Sequence, residues 1–160
     1  MATKSLNLSV LGALLDTTNP PGIEIASGIY RLLFDDSSQE YCFWQFNMPG
    51  DYVSSPVFKF TFSMASATSG NVVCEIDVKA VTENTEDIDS AAYGSTNSIT
   101  QAVAGTGGYT TQASESLAND DSLAAHDFVQ IRFSRNGGSG SDTATGDFEL
   151  LDAKLEYSDA

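Results

Sequence analysis

Strict alternation of side-chain character between Val57 and Met64 is the feature that most constrains the fold of this chain. Phe58, Phe60, Phe62 and Met64 share one parity. The positions of the other parity are Val57, Lys59, Thr61 and Ser63. Only a β-strand sends alternate residues to opposite faces, so this segment predicts a strand that is buried on one side.

The same pattern recurs along the chain, and turn residues bound each segment. Eight strands are predicted, over residues 28–34, 40–48, 57–65, 72–81, 98–104, 109–117, 128–135 and 148–157. In the last of them we expect Leu151, Ala153, Leu155 and Tyr157 to share the buried face. No segment shows a sustained helical period. Eight strands in one domain of this length favour an all-β, jelly-roll-like antiparallel β-sandwich.

Two polar connections separate these strands. Residues 82–97 are predicted to form a long acidic loop. A loop of this length in a compact domain is usually functional or mobile. Residues 136–142 form a Gly- and Ser-rich loop, in which we expect glycines at positive φ.

The N-terminal residues are predicted to form an extended arm. The turn signal Asn19-Pro20-Pro21-Gly22 separates them from the other strands, so we divide the chain into an arm at 1–27 and one β-sandwich domain at 28–160. Residues 5–15 are apolar, but Asn7 and Ser9 interrupt the run, which favours a strand or arm over a secretion signal. We expect the arm to add a strand to a neighbouring subunit.

The charge balance excludes two kinds of partner. The chain of 160 residues has 22 acidic and 7 basic residues, a net charge of −15. Nucleic acid and anionic membrane surfaces need clustered Lys and Arg, so neither is expected to bind. No run of about 18 apolar residues occurs, so no transmembrane span is predicted.

The sequence offers no catalytic constellation. The single histidine, His126, precedes Asp127 in a loop that enters a strand, and no nucleophile motif accompanies the pair. We therefore predict a surface histidine, a protein that is not an enzyme, and no catalytic or cofactor-binding residues.

Metal binding and thiol chemistry leave alternatives open. Three acidic groups could supply oxygen ligands to a structural calcium: Glu86-Asp87-Asp89, Asp120-Asp121, and Asp142 with Asp147. None has a known calcium-loop spacing, so we favour solvated loops and assign no metal ligand. Cys42 and Cys74 fall on the apolar parity of their strands, which favours free buried thiols over a disulfide.

Carbohydrate binding by a sandwich would use exposed aromatic residues. Tyr93 and Tyr109 lie in polar loops and could serve, whereas Trp44 shares the core parity of its strand and is expected to be buried. Packing in the core or in the loops is the favoured interpretation of these residues.

A series of local patterns, in order, carries a resemblance to a known group of proteins. The patterns are Leu33-Phe34-Asp35-Asp36, Phe43-Trp44-Gln45-Phe46, Met48-Pro49-Gly50-Asp51-Tyr52, Ser69-Gly70-Asn71-Val72, Asp127 to Arg135, Asp142 to Asp147, and Leu155-Glu156-Tyr157. Over residues 30–158 this order resembles small jelly-roll virion structural proteins of tailed bacteriophages.

The resemblance implies a capsid decoration (cement) protein that binds and stabilises the phage head as a symmetric oligomer, with a trimer favoured. Its partners would then be the major capsid protein or other virion proteins, and its location the virion, assembled in the host cytoplasm. The alternatives are a receptor- or glycan-binding module of a tail fibre or baseplate, and a self-assembling extracellular filament subunit. No site residue carries over from this resemblance.

Overall fold

Eleven β-strands form two antiparallel sheets in the computed structural model, which describes all 160 residues. In chain order the strands are β1 (Thr3–Asn7), β2 (Leu14–Leu15), β3 (Gly22–Ala26), β4 (Ile29–Phe34), β5 (Tyr41–Asn47), β6 (Tyr52–Met64), β7 (Asn71–Val81), β8 (Asn97–Ala102), β9 (Thr111–Ser116), β10 (Phe128–Arg135) and β11 (Phe148–Asp159). One 3-10 turn, Val10–Gly12, is the only helical segment, and it is too short to cross a membrane. The predicted all-β sandwich is confirmed, and all eight predicted strands are present.

The two sheets are named here by their strand order. Sheet A has the order β3-β4-β11-β6-β9, and β1 pairs with β11 beside β4. Sheet B has the order β2-β5-β10-β7-β8. The inner faces of both sheets bury one core, in which Phe58 and Phe62 of β6 are fully buried. Removing a Phe side chain from water stabilises the fold by about 2–3 kcal/mol, so this row of aromatic rings is a major source of stability.

A β-bulge changes the parity of β11. The register against β6 shifts between Leu150 and Asp152, so one extra residue enters this strand. The prediction that Leu151 is buried is therefore wrong, because Leu150 takes the core position and Leu151 stays half-buried. Beyond the bulge, Ala153 and the alternate residues that follow it are buried as predicted.

The N-terminal residues belong to the sandwich of their own chain. We expected an arm over residues 1–27 that reaches a neighbouring subunit. The structure instead pairs β1 with β11, placing Thr3 opposite Ser158, while β2 pairs with β5 and β3 forms a hairpin with β4. The physical reason is that β4 covers only the first residues of β11, which leaves the rest of that edge free for β1.

A buried ion pair organises the loop between β10 and β11. Arg135 is fully buried, and its Nη2 lies 2.8 Å from Oδ1 of Asp142 while its Nε donates to Oδ2 at 3.0 Å. The expectation of positive-φ glycines in residues 136–142 is wrong, because none of Gly137, Gly138 and Gly140 has a positive φ. A Cβ at Gly137 would instead come 2.2 Å from the carbonyl oxygen of Asp36, so close backbone approach explains this glycine.

Candidate functional site

An open groove crosses the outer face of sheet A. It has a volume of about 400 Å³, within the range of small-molecule sites. Six polar residues line it: Lys59, Thr61, Gln112, Ser114, Asp152 and Lys154. Three further lining residues, Phe60, Ala113 and Ala153, turn their side chains into the core. We call this feature the sheet A groove.

Strand register brings these polar residues into two rows. Thr61 of β6 lies opposite Asp152 of β11 on one side and Gln112 of β9 on the other. One step along the strand, Lys59 lies opposite Lys154 and Ser114 in the same way. The bulge before Asp152 gives β11 the parity that turns its polar residues to this face.

Two lysines in the groove share one carboxylate. Like charges directly opposite each other on neighbouring strands repel, as Lys59 and Lys154 do here. Glu156 offsets that repulsion, because its Oε2 lies 2.7 Å from Nζ of Lys59 and its Oε1 lies 2.8 Å from Nζ of Lys154. Hydrogen bonds from Lys154 and then Lys59 lower the pKa of Glu156, so it remains an anion that holds both ammonium groups in place.

The other polar side chains of the groove are free to bind a ligand. Thr61, Gln112, Ser114 and Asp152 form no side-chain hydrogen bond within the protein. Together they offer hydroxyl, amide and carboxylate groups, which include both donors and acceptors. The groove can therefore pair with a ligand that itself presents many hydroxyl groups.

The aromatic candidates occupy three different environments. Trp44 is buried as predicted, and its Nε1 donates to the carbonyl of Ser9 at 2.9 Å. Tyr109 is 66% exposed, whereas Tyr93 is half-buried against the outer face of sheet B. Neither tyrosine lines the sheet A groove.

The single histidine lies on the surface, as predicted, and Asp127 is not oriented as its catalytic partner. His126 is exposed at φ 71°, and its ring covers Gly50. Asp127 is buried, and its Oδ2 accepts a hydrogen bond from the backbone N–H of Ala124 at 2.8 Å. The carboxylate of Asp127 thus stabilises the turn that enters β10.

The acidic groups considered for calcium are engaged in local structure. Oδ2 of Asp121 accepts from the N–H of Ala80 at 2.9 Å, and Oδ1 of Asp87 accepts from the N–H of Asp89 at 3.0 Å. Asp142 is the salt-bridge partner of the buried Arg135. Nowhere do three His, Cys, Asp or Glu side chains converge in a geometry that suits a metal ion.

Both cysteines are free and buried, as the parity of their strands predicts. Burial raises the pKa of the Cys42 thiol, and burial is also the main cause of the raised pKa of Cys74. Protonated, enclosed thiols are poor nucleophiles. We therefore assign Cys42 and Cys74 to the core.

The sequence predicts which groove residues face outward, but not which of them lie next to each other. The alternation in β6 predicts that Lys59 and Thr61 face outward, and the structure confirms it. The convergence of Lys59 with Lys154 follows from the pairing of strands about 95 residues apart, which no local pattern encodes.

Comparisons with known proteins place the fold among β-sandwich modules. No protein-family model and no curated protein sequence matches this chain. The xylan-binding module CBM15 superposes with a TM-score of 0.56 at 9% identity, covering 99% of each chain. A family 35 carbohydrate-binding module from Clostridium thermocellum gives 0.54 at 14% identity, covering 95% of this chain and 97% of that one.

A third similar structure is the exo-beta-1,3-galactanase from Phanerochaete chrysosporium, with a TM-score of 0.55 at 14% identity. The match covers 98% of this chain and 30% of the galactanase. At these identities the likeness concerns backbone architecture alone. The chain therefore has the jelly-roll β-sandwich fold that these carbohydrate-binding modules also have.

Proposed function

We propose that this protein is a non-catalytic glycan-binding module whose ligand lies in the sheet A groove. The observation that carries the proposal is the groove itself, an open channel of about 400 Å³ in which four of the six polar lining side chains have no hydrogen-bond partner in the protein. A saccharide presents a dense array of hydroxyl groups, each both donor and acceptor, and the groove presents both kinds of group in return.

The chemistry of the groove favours binding over catalysis. Glycoside hydrolysis uses two carboxyl groups, one of them an acid with a raised pKa. The groove lining contains one carboxylate, Asp152, and the adjacent Glu156 has a lowered pKa and is held by two lysines. The groups present can orient a saccharide, and none is set up to protonate a leaving group.

The position of the groove also supports a binding role. Its walls are the side chains of β6 and of the two strands that pair with it, β9 and β11, so the ligand would lie on a rigid sheet. Two of the similar structures are described as carbohydrate-binding modules, one of them as xylan-binding. Xylan is accordingly one of the first polysaccharides to test.

Affinity electrophoresis against a panel of soluble polysaccharides, including xylan, tests this proposal. We expect at least one polysaccharide to retard the protein, and isothermal titration with its oligosaccharides to give a saturable constant. Thr61→Val keeps the side-chain shape and removes the hydroxyl group, so it should weaken binding about five- to tenfold.

Thr100→Val is the matched control, because Thr100 is an exposed strand residue of sheet B that does not line the groove. It should bind as the unchanged protein does. Lack of retardation by every polysaccharide, or equal weakening by both valine substitutions, would overturn the proposal.

The capsid decoration function stays a prediction that rests on the sequence resemblance. Electron microscopy of the purified protein mixed with phage heads would test it, and binding at regular shell positions is the expected result. Filaments formed by the protein alone would instead favour the filament alternative.

A further inference from the structure

Lys79 is distinguished from the other basic residues by the absence of an acidic partner. The chain has 22 acidic residues and 7 basic ones, and six of those seven form salt bridges. Lys79, on the outer face of β7, forms none. Its Nζ lies instead 4.6 Å from the ring centre of Tyr93.

A second cation lies against the same aromatic ring. The guanidinium carbon of Arg132 is 4.3 Å from the ring centre of Tyr93 and 5.0 Å from that of Tyr41. Two positive groups are therefore held close together on one tyrosine. Cation–π attraction favours each contact separately, but it does not remove the repulsion between the two cations.

Burial, and then the nearby carboxylates of Asp77 and Asp16, raise the pKa of Tyr93, so two acidic groups lie near the pair, but neither forms a salt bridge with Lys79. Asp77 is buried, and its Oδ2 accepts from Nε of Arg132 and lies 2.9 Å from Nη2. Oδ1 of Asp77 accepts from the hydroxyl group of Thr96 at 2.6 Å. The Nη1 group of Arg132 is left without an acceptor in the protein, on a side chain that is 30% exposed.

An amide group adds a third free donor. Gln130 lies directly opposite Lys79 on β10, and its Oε1 accepts a hydrogen bond from the hydroxyl group of Tyr93. This bond fixes the amide so that its Nε2 is left to donate. Lys79, Arg132 and Gln130 thus surround Tyr93 with donors that have no acceptor in the protein.

We propose that these three donors form an anion-binding site for the carboxylate of an acidic saccharide, on the outer face of sheet B and opposite the sheet A groove. A carboxylate is a planar acceptor with two oxygens, which suits an ammonium group and a guanidinium edge together. The partly exposed Tyr41 and Phe43 lie beside the site and give a sugar ring an apolar surface to contact. The saccharide class rests on the proposed glycan-binding function, whereas the anion site rests on this geometry alone.

The site is rigidly supported. Lys79 projects from β7, and Gln130 and Arg132 project from β10, the central strand of sheet B, which pairs with β7. The loop that carries Tyr93 is tied down next to the ring, since the N–H of Gly94 donates to the carbonyl of Val78 at 2.9 Å. Little rearrangement is then needed when an anion binds.

NMR titration at constant ionic strength tests the site with three probes: a galacturonate trisaccharide, its fully methyl-esterified and therefore neutral form, and sodium sulfate. We expect the acid trisaccharide to shift the resonances of the Lys79 ammonium group and the Tyr93 ring, and to bind about tenfold or more tightly than its ester. Lys79→Gln should remove most of that difference, and Tyr93→Phe, which frees the amide of Gln130, should reduce it in part.

Lys4→Gln is the control, because it removes the same charge from β1 in sheet A. Equal binding of the acid and its ester, equal weakening by Lys4→Gln and Lys79→Gln, or sulfate binding as tight as that of the acid trisaccharide would overturn the proposal. Thr61→Val should leave these shifts unchanged, so failure of the groove and failure of this site can be told apart.

Discussion

Breaking the buried pair of Arg135 and Asp142 should destabilise the protein more than any exposed charge change. Both members of the pair are shielded from water and ions. The side chain of Arg135 is 0% exposed, and that of Asp142 is 2% exposed. Asp142→Asn keeps the shape and removes the negative charge, which leaves a guanidinium group buried without its counter-ion. Removing one member of a buried pair costs about 3–5 kcal/mol, so we expect a loss near the lower end for this isosteric change.

Arg135→Met should cost more, because Arg135 also serves backbone carbonyls. It donates to the carbonyl oxygens of Gly146 at 2.6 Å and of Ala144, both in the β10–β11 loop. Each buried carbonyl left without a donor adds about 1 kcal/mol to the loss of the ion pair. In the double variant the two costs should overlap, with a coupling energy of at least about 1 kcal/mol.

Urea unfolding followed by Trp44 fluorescence measures these losses. Trp44 is the only tryptophan and is 4% exposed, so its emission should report global unfolding. Glu24→Gln is the control, since Glu24 is a half-exposed partner 3.7 Å from Arg31, and its change should stay under about 1 kcal/mol. A loss below about 1 kcal/mol for Asp142→Asn, or strict additivity in the double variant, would refute the assignment of this pair as the anchor of the loop.

Three further predictions concern the core and the loops. Gly137→Ala should destabilise the protein by about 1–3 kcal/mol in urea unfolding, because the added Cβ meets a carbonyl oxygen. Gly140→Ala is the control and should be neutral, because its Cβ meets no atom within 4 Å. Equal effects of the two substitutions would contradict the close-approach argument. Burial, followed by neighbouring acidic groups, raises the pKa of Asp147, so stability from this group is full at low pH and falls as pH rises through its titration. Asp147→Asn should accordingly raise the free energy of unfolding at pH 7 and have little effect at pH 3, measured by urea unfolding at both; a gain of the same size at both values would contradict it. Cys42 and Cys74 should react with a thiol reagent only in denaturant, and rapid labelling of the native protein would contradict their burial.

The alternation of side chains was sufficient to predict the strands but not their partners. Phe58 and its neighbours in β6 have a period of two, which any residue-level pattern reveals. Pairing Thr3 with Ser158 depends on an edge of β11 that β4 leaves free, and this is a property of the folded sheet. The partners of the strands in residues 1–27 were therefore outside the reach of local patterns, as was the bulge that places Leu150 in the core instead of Leu151.

The candidate sites depend on register in the same way. The outward parity of Lys59 and Lys79 was predictable, yet the partners of each come from a distant strand or loop. Parity did contain one signal that points directly to an unusual site. Val129, Ile131 and Phe133 face the core, so Arg135, two residues later, must also point inward. A charged side chain is stable there only with a counter-ion and hydrogen-bond acceptors, so its parity signals a buried ion pair without indicating which segment supplies the acidic partner.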